Sequence, residues 1–248
     1  MNIRGSFKIA GLIDIGTQAS LIKRGNGKFV FLDSYTLSGS VKSEIDELTN
    51  NGKDVEAVLN LHPFHTIHVA KMHERYPQAR HYGTARHLSK FPELDWQPVC
   101  TEDSELHGMF AREFDFSVPR GVDFICDDEN VHFSSVLAYH RNSRTIHVDD
   151  TLMYIRLPLL MRFFGLTDAM SFHPTLSKVL EKREGAVNDF NQWAEELAEQ
   201  WHDAENLCAA HTATLIIEDS SETSIHDRIL KALAKVQSTL NSHKGKFS

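Results

Sequence analysis

The chain has 248 residues, with 26 Lys and Arg against 34 Asp and Glu, a net charge of −8 and a hydrophobic content of 41%. That apolar fraction fills a sizeable core, which excludes a disordered chain, and the acidic balance without a dense basic block argues against a dedicated nucleic-acid binder. Cys100, Cys126 and Cys208 are odd in number and never spaced Cys-x-x-Cys, so they read as core thiols of a reducing compartment, not a disulfide framework or zinc ribbon.

The first residues carry glycines and an aspartate where a signal peptide needs an unbroken apolar run, and no stretch approaches about 18 consecutive apolar residues. A cytoplasmic protein without a membrane partner is expected. Ser20 to Ser34 predicts a hairpin: Leu21 to Lys23 and Phe29 to Leu32 flank Gly25-Asn26-Gly27, residues that tolerate the positive φ of a tight turn. A helix follows from Ser38 to Asn51, with Val41, Ile45 and Leu48 on one face and Asn51-Gly52 as its stop. Val55 to Leu59 reads as a buried strand. Strand, helix and strand in this order imply a parallel pair in a layered α/β fold.

Beyond that strand the pattern predicts a helix over Val69 to Tyr76, a short strand over Arg80 to Tyr82, and a second hairpin. Its strands are Ser135 to His140 and Thr145 to Val148, joined by Arg141 to Arg144 and ending in Asp149-Asp150. From Leu152 to Trp201 the pattern turns helical, a helical insertion over 152–203 in which Leu152 to Phe164 reads as a core helix. Val187, Phe190, Trp193, Leu197 and Trp201 form its clearest apolar stripe. A strand over Asn206 to Ala210 leads to His211, and an amphipathic helix over 225–240 closes the chain ahead of a frayed end. With no repeat, low-complexity tract or linker, a single domain over 1–248 is expected.

Histidine is the unusual residue, at 15 of 248 positions. His62, His65 and His68 lie in Leu-Asn-Leu-His-Pro-Phe-His-Thr-Ile-His, between a buried strand and a helix. Loops at the carboxyl ends of strands are where α/β folds hold ligands. Three imidazoles there suit a transition metal, with carboxylates from other loops completing the shell. Asp149 and Asp150 end a strand as a pair whose mutual repulsion calls for a cation or several donors. His211 follows a strand directly.

The order of a strand ending in Asp33, a helix, a strand ending in a histidine cluster, a hairpin ending in Asp150 and a late strand ending in His211 resembles the metallo-β-lactamase superfamily, over roughly residues 7 to 215. The resemblance implies an α/β fold of four-layer αββα sandwich type with mixed sheets, and a mono- or dinuclear metal site at the edge between the sheets. It implies that Asp33 supports the metal loop and that His65 and His68 match the second and last histidines of the family's His-x-His-x-Asp-His motif. Pro63 and Ile67 stand where that motif has its first histidine and its aspartate, with His62 adjacent. Asp150 matches the acid that bridges two metals, and His211 the last histidine ligand. The family's middle histidine follows a Pro-Gly turn; Val118-Pro119-Arg120-Gly121-Val122-Asp123 offers Asp123 instead, with His132 and His140 as alternatives. The segment Ala138 to Asp150 resembles a divergent branch of the superfamily.

The expected function is a metal-dependent hydrolase with a reduced, mononuclear site, acting on a small ester, thioester, lactone or phosphodiester through a metal-activated water. The expected metal set is His62, His65, His68, Asp123, Asp150 and His211. Zinc is the first choice of divalent ion, with iron or manganese as alternatives. Asp150 holds the ion and accepts the water's proton, while His62 or His140 stabilises charge at the leaving group. The alternative is a catalytically silent member that kept the fold for binding or scaffolding. The partner expected is a small-molecule substrate and not nucleic acid, and no glycine-rich phosphate loop points to a nucleotide cofactor.

Overall fold

The computed structural model describes residues 1–5, 8, 9, 13, 14, 16–157, 161, 163, 164, 168–210, 213–217 and 223–247. The chain divides into two compact units, Met1–Asp115 and Phe116–Ser248. In the first, β1 (Asn2–Gly5), β2 (Lys8–Ile9), β3 (Ile13–Asp14), β4 (Thr17–Lys23) and β5 (Phe29–Leu32) precede α1 (Gly39–Leu48). Then come β6 (Val55–Leu59), α2 (Val69–Arg75), β7 (Arg80–Tyr82), α3 (Ala85–Lys90) and α4 (Ser104–Phe110).

Strands β1, β4, β5, β6 and β7 form one sheet in that order. The predicted hairpin is β4–β5, antiparallel, with Gly27 at φ 83° in its turn. The β5–β6 pair is parallel, as the crossover through α1 requires. Helix α1 is shorter than predicted because Asn50, Asn51 and Gly52 all take positive φ and unwind the chain towards β6. Every residue of β5 is buried, which is why Phe-Val-Phe-Leu shows no alternation. Phe31, Ile45, Val58, Met72 and Tyr76 make the core beneath this sheet.

Strand β8 (Phe114–Ser117) carries the chain across the division and is the edge of the second sheet. It is followed by β9 (Leu137–His140), β10 (Thr145–Val148), β11 (Leu152–Ile155), β12 (Ala169–Phe172), α5 (Leu176–Val179) and α6 (Ala186–Gln200). Strands β13 (Asn206–Ala209) and β14 (Thr214–Ile216) and helix α7 (Ile225–Phe247) complete the chain. The order is β14-β13-β10-β9-β8, with β10 parallel to β13 and antiparallel to β9. The buried face of α6 is the predicted stripe, Val187, Phe190, Trp193 and Leu197, with Trp201 at its end.

Two expectations are corrected. The predicted core helix does not begin at Leu152: Leu152–Ile155 is a strand that pairs antiparallel with Ala169–Phe172, and residues 158–160 and 162 of the predicted helix lie outside the described residues. Leu152 and Tyr154 are buried while Ile155 is exposed, a period of two that a long apolar run concealed from a helical reading. Likewise α7 runs to Phe247 instead of stopping at 240, because the Nε2–H of His243 donates to the carbonyl of Glu181 (3.0 Å) and docks the last turns. Among the described residues no helix is long and apolar enough to cross a membrane.

Candidate metal centre

In the first unit, the exit of β5 and the exit of β6 are tied together before the histidine loop begins. Asp33 is buried at φ 62°, a left-handed conformation that aspartate tolerates, and its Oδ1 accepts the amide of Leu61 at 2.8 Å. This places the carboxylate one residue ahead of His62. Beside it Asn60 accepts the Ser34 hydroxyl (2.6 Å), donates to the Tyr82 carbonyl (3.0 Å) and offers its own carbonyl to Thr101 (2.9 Å). The loop therefore starts from a backbone fixed on three sides. Asn60 is a buried polar residue inside the apolar run Ala57 to Leu61, and that interruption is the sequence signal that could have found it.

The loop turns at once, with the amide of His65 donating to the His62 carbonyl at 3.1 Å. The turn stacks the two rings, centroids 4.0 Å apart and planes 19° off parallel, with ligand atoms within 4.8 Å of each other. Nδ1 of His62 accepts the Phe64 amide at 3.1 Å, so the neutral ring carries its proton on Nε2. In this tautomer His62 is a donor, and the nitrogen that would ligate through Nε2 is occupied by a proton. His68 turns elsewhere: its Nδ1 lies 2.8 Å from the Thr36 hydroxyl and its ring meets the edge of Tyr35. Burial, then the neighbouring His65, press its pKa down, which keeps it a neutral imidazole and a competent donor.

Two residues that sequence reasoning passed over, Arg86 and His87, hold the loop from α3. Arg86 donates to the Pro63 carbonyl (3.1 Å) with its guanidinium over the Phe64 ring (4.4 Å), and Nε2 of His87 lies 3.4 Å from the His65 carbonyl. Burial holds His87 down to about 4, so it is neutral. No motif marked it, since one histidine in a short helix carries no periodic signal.

In the second unit, Asp149 and Asp150 follow β10 and are both buried. Thr151 fixes the chain after them, its hydroxyl donating to the Phe133 carbonyl (2.9 Å) and accepting the Ser135 amide (3.0 Å). The segment it binds carries His132, whose Nδ1 lies 3.7 Å from Oδ2 of Asp150. Nε2 of His132 donates to the Glu129 carbonyl at 3.0 Å, so in the neutral ring Nδ1 carries no proton. His147 and Asp149 also have ligand atoms within 4.8 Å of each other.

Other expected site residues fall differently. His140 pairs with Thr145 at the start of β10, whereas Asp150 follows its end, so about five residues of extended chain, roughly 16 Å, separate it from that acid. A role for His140 beside Asp150 is corrected on this ground, and its Nδ1 meets the Ser143 hydroxyl (2.8 Å) at the tip of the hairpin. Asp123 is exposed, its pKa raised by desolvation and then by Glu181 and Asp127, and among the described residues it joins no group of possible ligands. His211 lies outside the described residues.

The donors present fit a divalent cation. In the neutral ring the unprotonated Nδ1 of His132 and carboxylate Oδ2 of Asp150 lie 3.7 Å apart. Neighbouring ligands on a tetrahedral ion with bonds of about 2.1 Å stand roughly 3.4 Å apart. Two acceptors so placed repel each other unless a proton or a cation lies between them. The donor set of imidazole and carboxylate suits zinc, iron or manganese.

No protein-family model matches the sequence, and no curated protein matches it. Among solved structures the chain is similar to metallo-β-lactamases. One from Erythrobacter litoralis, with beta mercaptoethanol in its active site, is 11% identical with a TM-score of 0.59 over 94% of this chain and 91% of that one. One from Pontibacter korlensis is 9% identical, TM-score 0.54, over 93% of each chain. FIM-1 from Pseudomonas aeruginosa, in its mono-zinc form, is 10% identical, TM-score 0.54, over 94% of this chain and 90% of that one. At such identities the likeness shows the fold. The chain has the metallo-β-lactamase fold, the α/β sandwich with mixed sheets that its element order predicts, in a divergent sequence.

Proposed function

We propose that this chain, which has the metallo-β-lactamase fold, is a metal-dependent hydrolase with one divalent ion, acting on a small ester, thioester, lactone or phosphodiester. The observation that carries this reading is the facing pair of His132 Nδ1 and buried Asp150 Oδ2 at 3.7 Å. The family pattern adds His65 and His211 as further ligands, whereas His68, expected as one, is turned to the Thr36 hydroxyl and is left out. The mono-zinc form of FIM-1 supports a single zinc as the first choice. A bound divalent cation supplies a lowered pKa for water and polarises the oxygen under attack.

The chain's own groups supply the rest. Asp150 is a buried carboxylate and takes up a proton at Oδ1 or Oδ2. Nε2–H of His62, fixed by the Phe64 amide at Nδ1, donates a hydrogen bond to charge developing at the leaving group. Asp33 keeps its positioning role through the Leu61 amide.

The test is elemental analysis of protein purified without chelator or affinity tag, alongside Asp150→Ala and His65→Ala. About one ion per chain, lost in both variants, followed by turnover of one of the four ester classes, supports the proposal. No bound zinc, iron or manganese after reconstitution overturns it in favour of a silent scaffold.

A further inference from the structure

The contacts between α3 and the histidine loop point to a brace. Thr84 precedes α3, and its amide donates to Nδ1 of His87 at 3.2 Å with its hydroxyl 2.9 Å from the same nitrogen. An amide only donates, so Nδ1 accepts and the neutral ring carries its proton on Nε2. That Nε2–H meets the carbonyl of His65 at 3.4 Å, and the ring is fully buried. The residue before it, Arg86, donates to the carbonyl of Pro63 (3.1 Å) and lies over the ring of Phe64 (4.4 Å). Two consecutive residues of α3 thus hold the backbone at 63 and 65 and the ring at 64, the three positions that present the His62 and His65 rings to each other.

We infer that His87 is a positioning residue, which sets the orientation of His65 by donating to its carbonyl from a helix cap that fixes the tautomer. The ring does two things at once. Its acceptor nitrogen closes the first turn of α3, where a Glu or Gln often stands at the equivalent capping position. Its donor nitrogen reaches the loop, which Glu in that place does not do. Ligand side chains need outer partners that hold them near the productive geometry, and loss of such a partner typically weakens metal binding 10- to 100-fold. The consequence for metal binding rests on the hydrolase reading; the bracing of the loop does not.

The experiment compares wild type, His87→Leu, which removes both hydrogen bonds, and His87→Gln, whose amide accepts from Thr84 and donates to His65. Hydrogen exchange of the Phe64, His65 and Thr66 amides is followed in the metal-free protein, and Co(II) is titrated with its visible spectrum as readout. In the Leu variant those amides should exchange at least about tenfold faster, and Co(II) binding should weaken about 10- to 100-fold with an altered spectrum; Gln should restore both. Unchanged loop exchange in the Leu variant, or no rescue by Gln, overturns the inference. Should wild type bind no Co(II), the hydrolase reading falls while the exchange data still decide the brace. If His87→Leu does not fold, His87→Glu, which keeps the helix cap but has no proton to donate to the His65 carbonyl, is measured in its place, and loop exchange equal to wild type again overturns the brace.

Discussion

Single residues in this chain are governed by how burial treats imidazole. His73 stacks on His81 with centroids 3.8 Å apart, and Trp96 closes over His73 edge-on at 4.5 Å. Nε2 of His81 donates to the Tyr76 carbonyl at 2.9 Å, while desolvation first, then His81 and His87, drive His73 down to about 3. For His81 burial lowers the pKa and outweighs the Tyr76 carbonyl and then Asp95, which both raise it. A histidine whose folded pKa is depressed favours the neutral form, so the unfolded chain binds the extra proton. Its stabilising effect is complete above the unfolded value of about 6.5 and is lost as pH falls from there towards 3. Urea unfolding should therefore weaken as pH falls below 6.5, at a slope that reaches about 1.4 kcal/mol per pH unit between about pH 5.5 and 4 for this group, and His73→Gln should remove that share of the slope. An unchanged slope would mean His73 is already protonated in the native state. The pair was invisible in the sequence, because His73 and His81 belong to a helix and a strand whose contact is tertiary.

Elements are limited by where the backbone lets them meet. Gly121 adopts φ 71°, and a Cβ there would stand 2.0 Å from the Ala186 carbonyl and 2.9 Å from the Phe190 amide, backbone atoms of α6 that have no room to yield. The carbonyl of Gly121 also accepts the Glu181 amide at 3.1 Å. Gly121→Ala should destabilise the second unit by about 3 kcal/mol or more, read as a fall in the urea midpoint. Gly108, inside α4, meets nothing within 4 Å, so Gly108→Ala should instead stabilise by up to about 1 kcal/mol. Equal effects of the two would contradict close packing as the cause. Nothing in the local sequence separates Gly121 from Gly108 by the cost of a side chain. The difference between them depends on α6, which lies 65 positions further along the chain at Ala186.

At the scale of the whole molecule, a ligand that binds only the folded chain raises its stability by mass action. Zinc at about 100 times its dissociation constant should add about 2.7 kcal/mol, a rise in Tm of roughly 5–10 °C for a chain of this size. Asp150→Ala should abolish the shift, and a chelator should reverse it in wild type. Equal Tm values with zinc and with chelator would count against the metal reading.

Local patterning alone dictated β4–β5, the parallel β5–β6 pair, the β9–β10 hairpin and the stripe of α6, because strand and helix periods and turn residues are properties of neighbours in the chain. It also placed His62, His65, Asp149 and Asp150 at strand exits, where β6 and β10 put them. Tertiary structure decided what each imidazole faces: His62 stacks on His65, His68 turns to Thr36, His132 meets Asp150, and His140 lies at the other end of its hairpin. It decided as well that Leu152–Ile155 is a strand, since its partner Ala169–Phe172 arrives from later in the chain. The physical reason is common to all of these. Periodicity records which face of an element is buried, whereas the direction and protonation of a side chain depend on the hydrogen-bond partner that a distant segment brings to it.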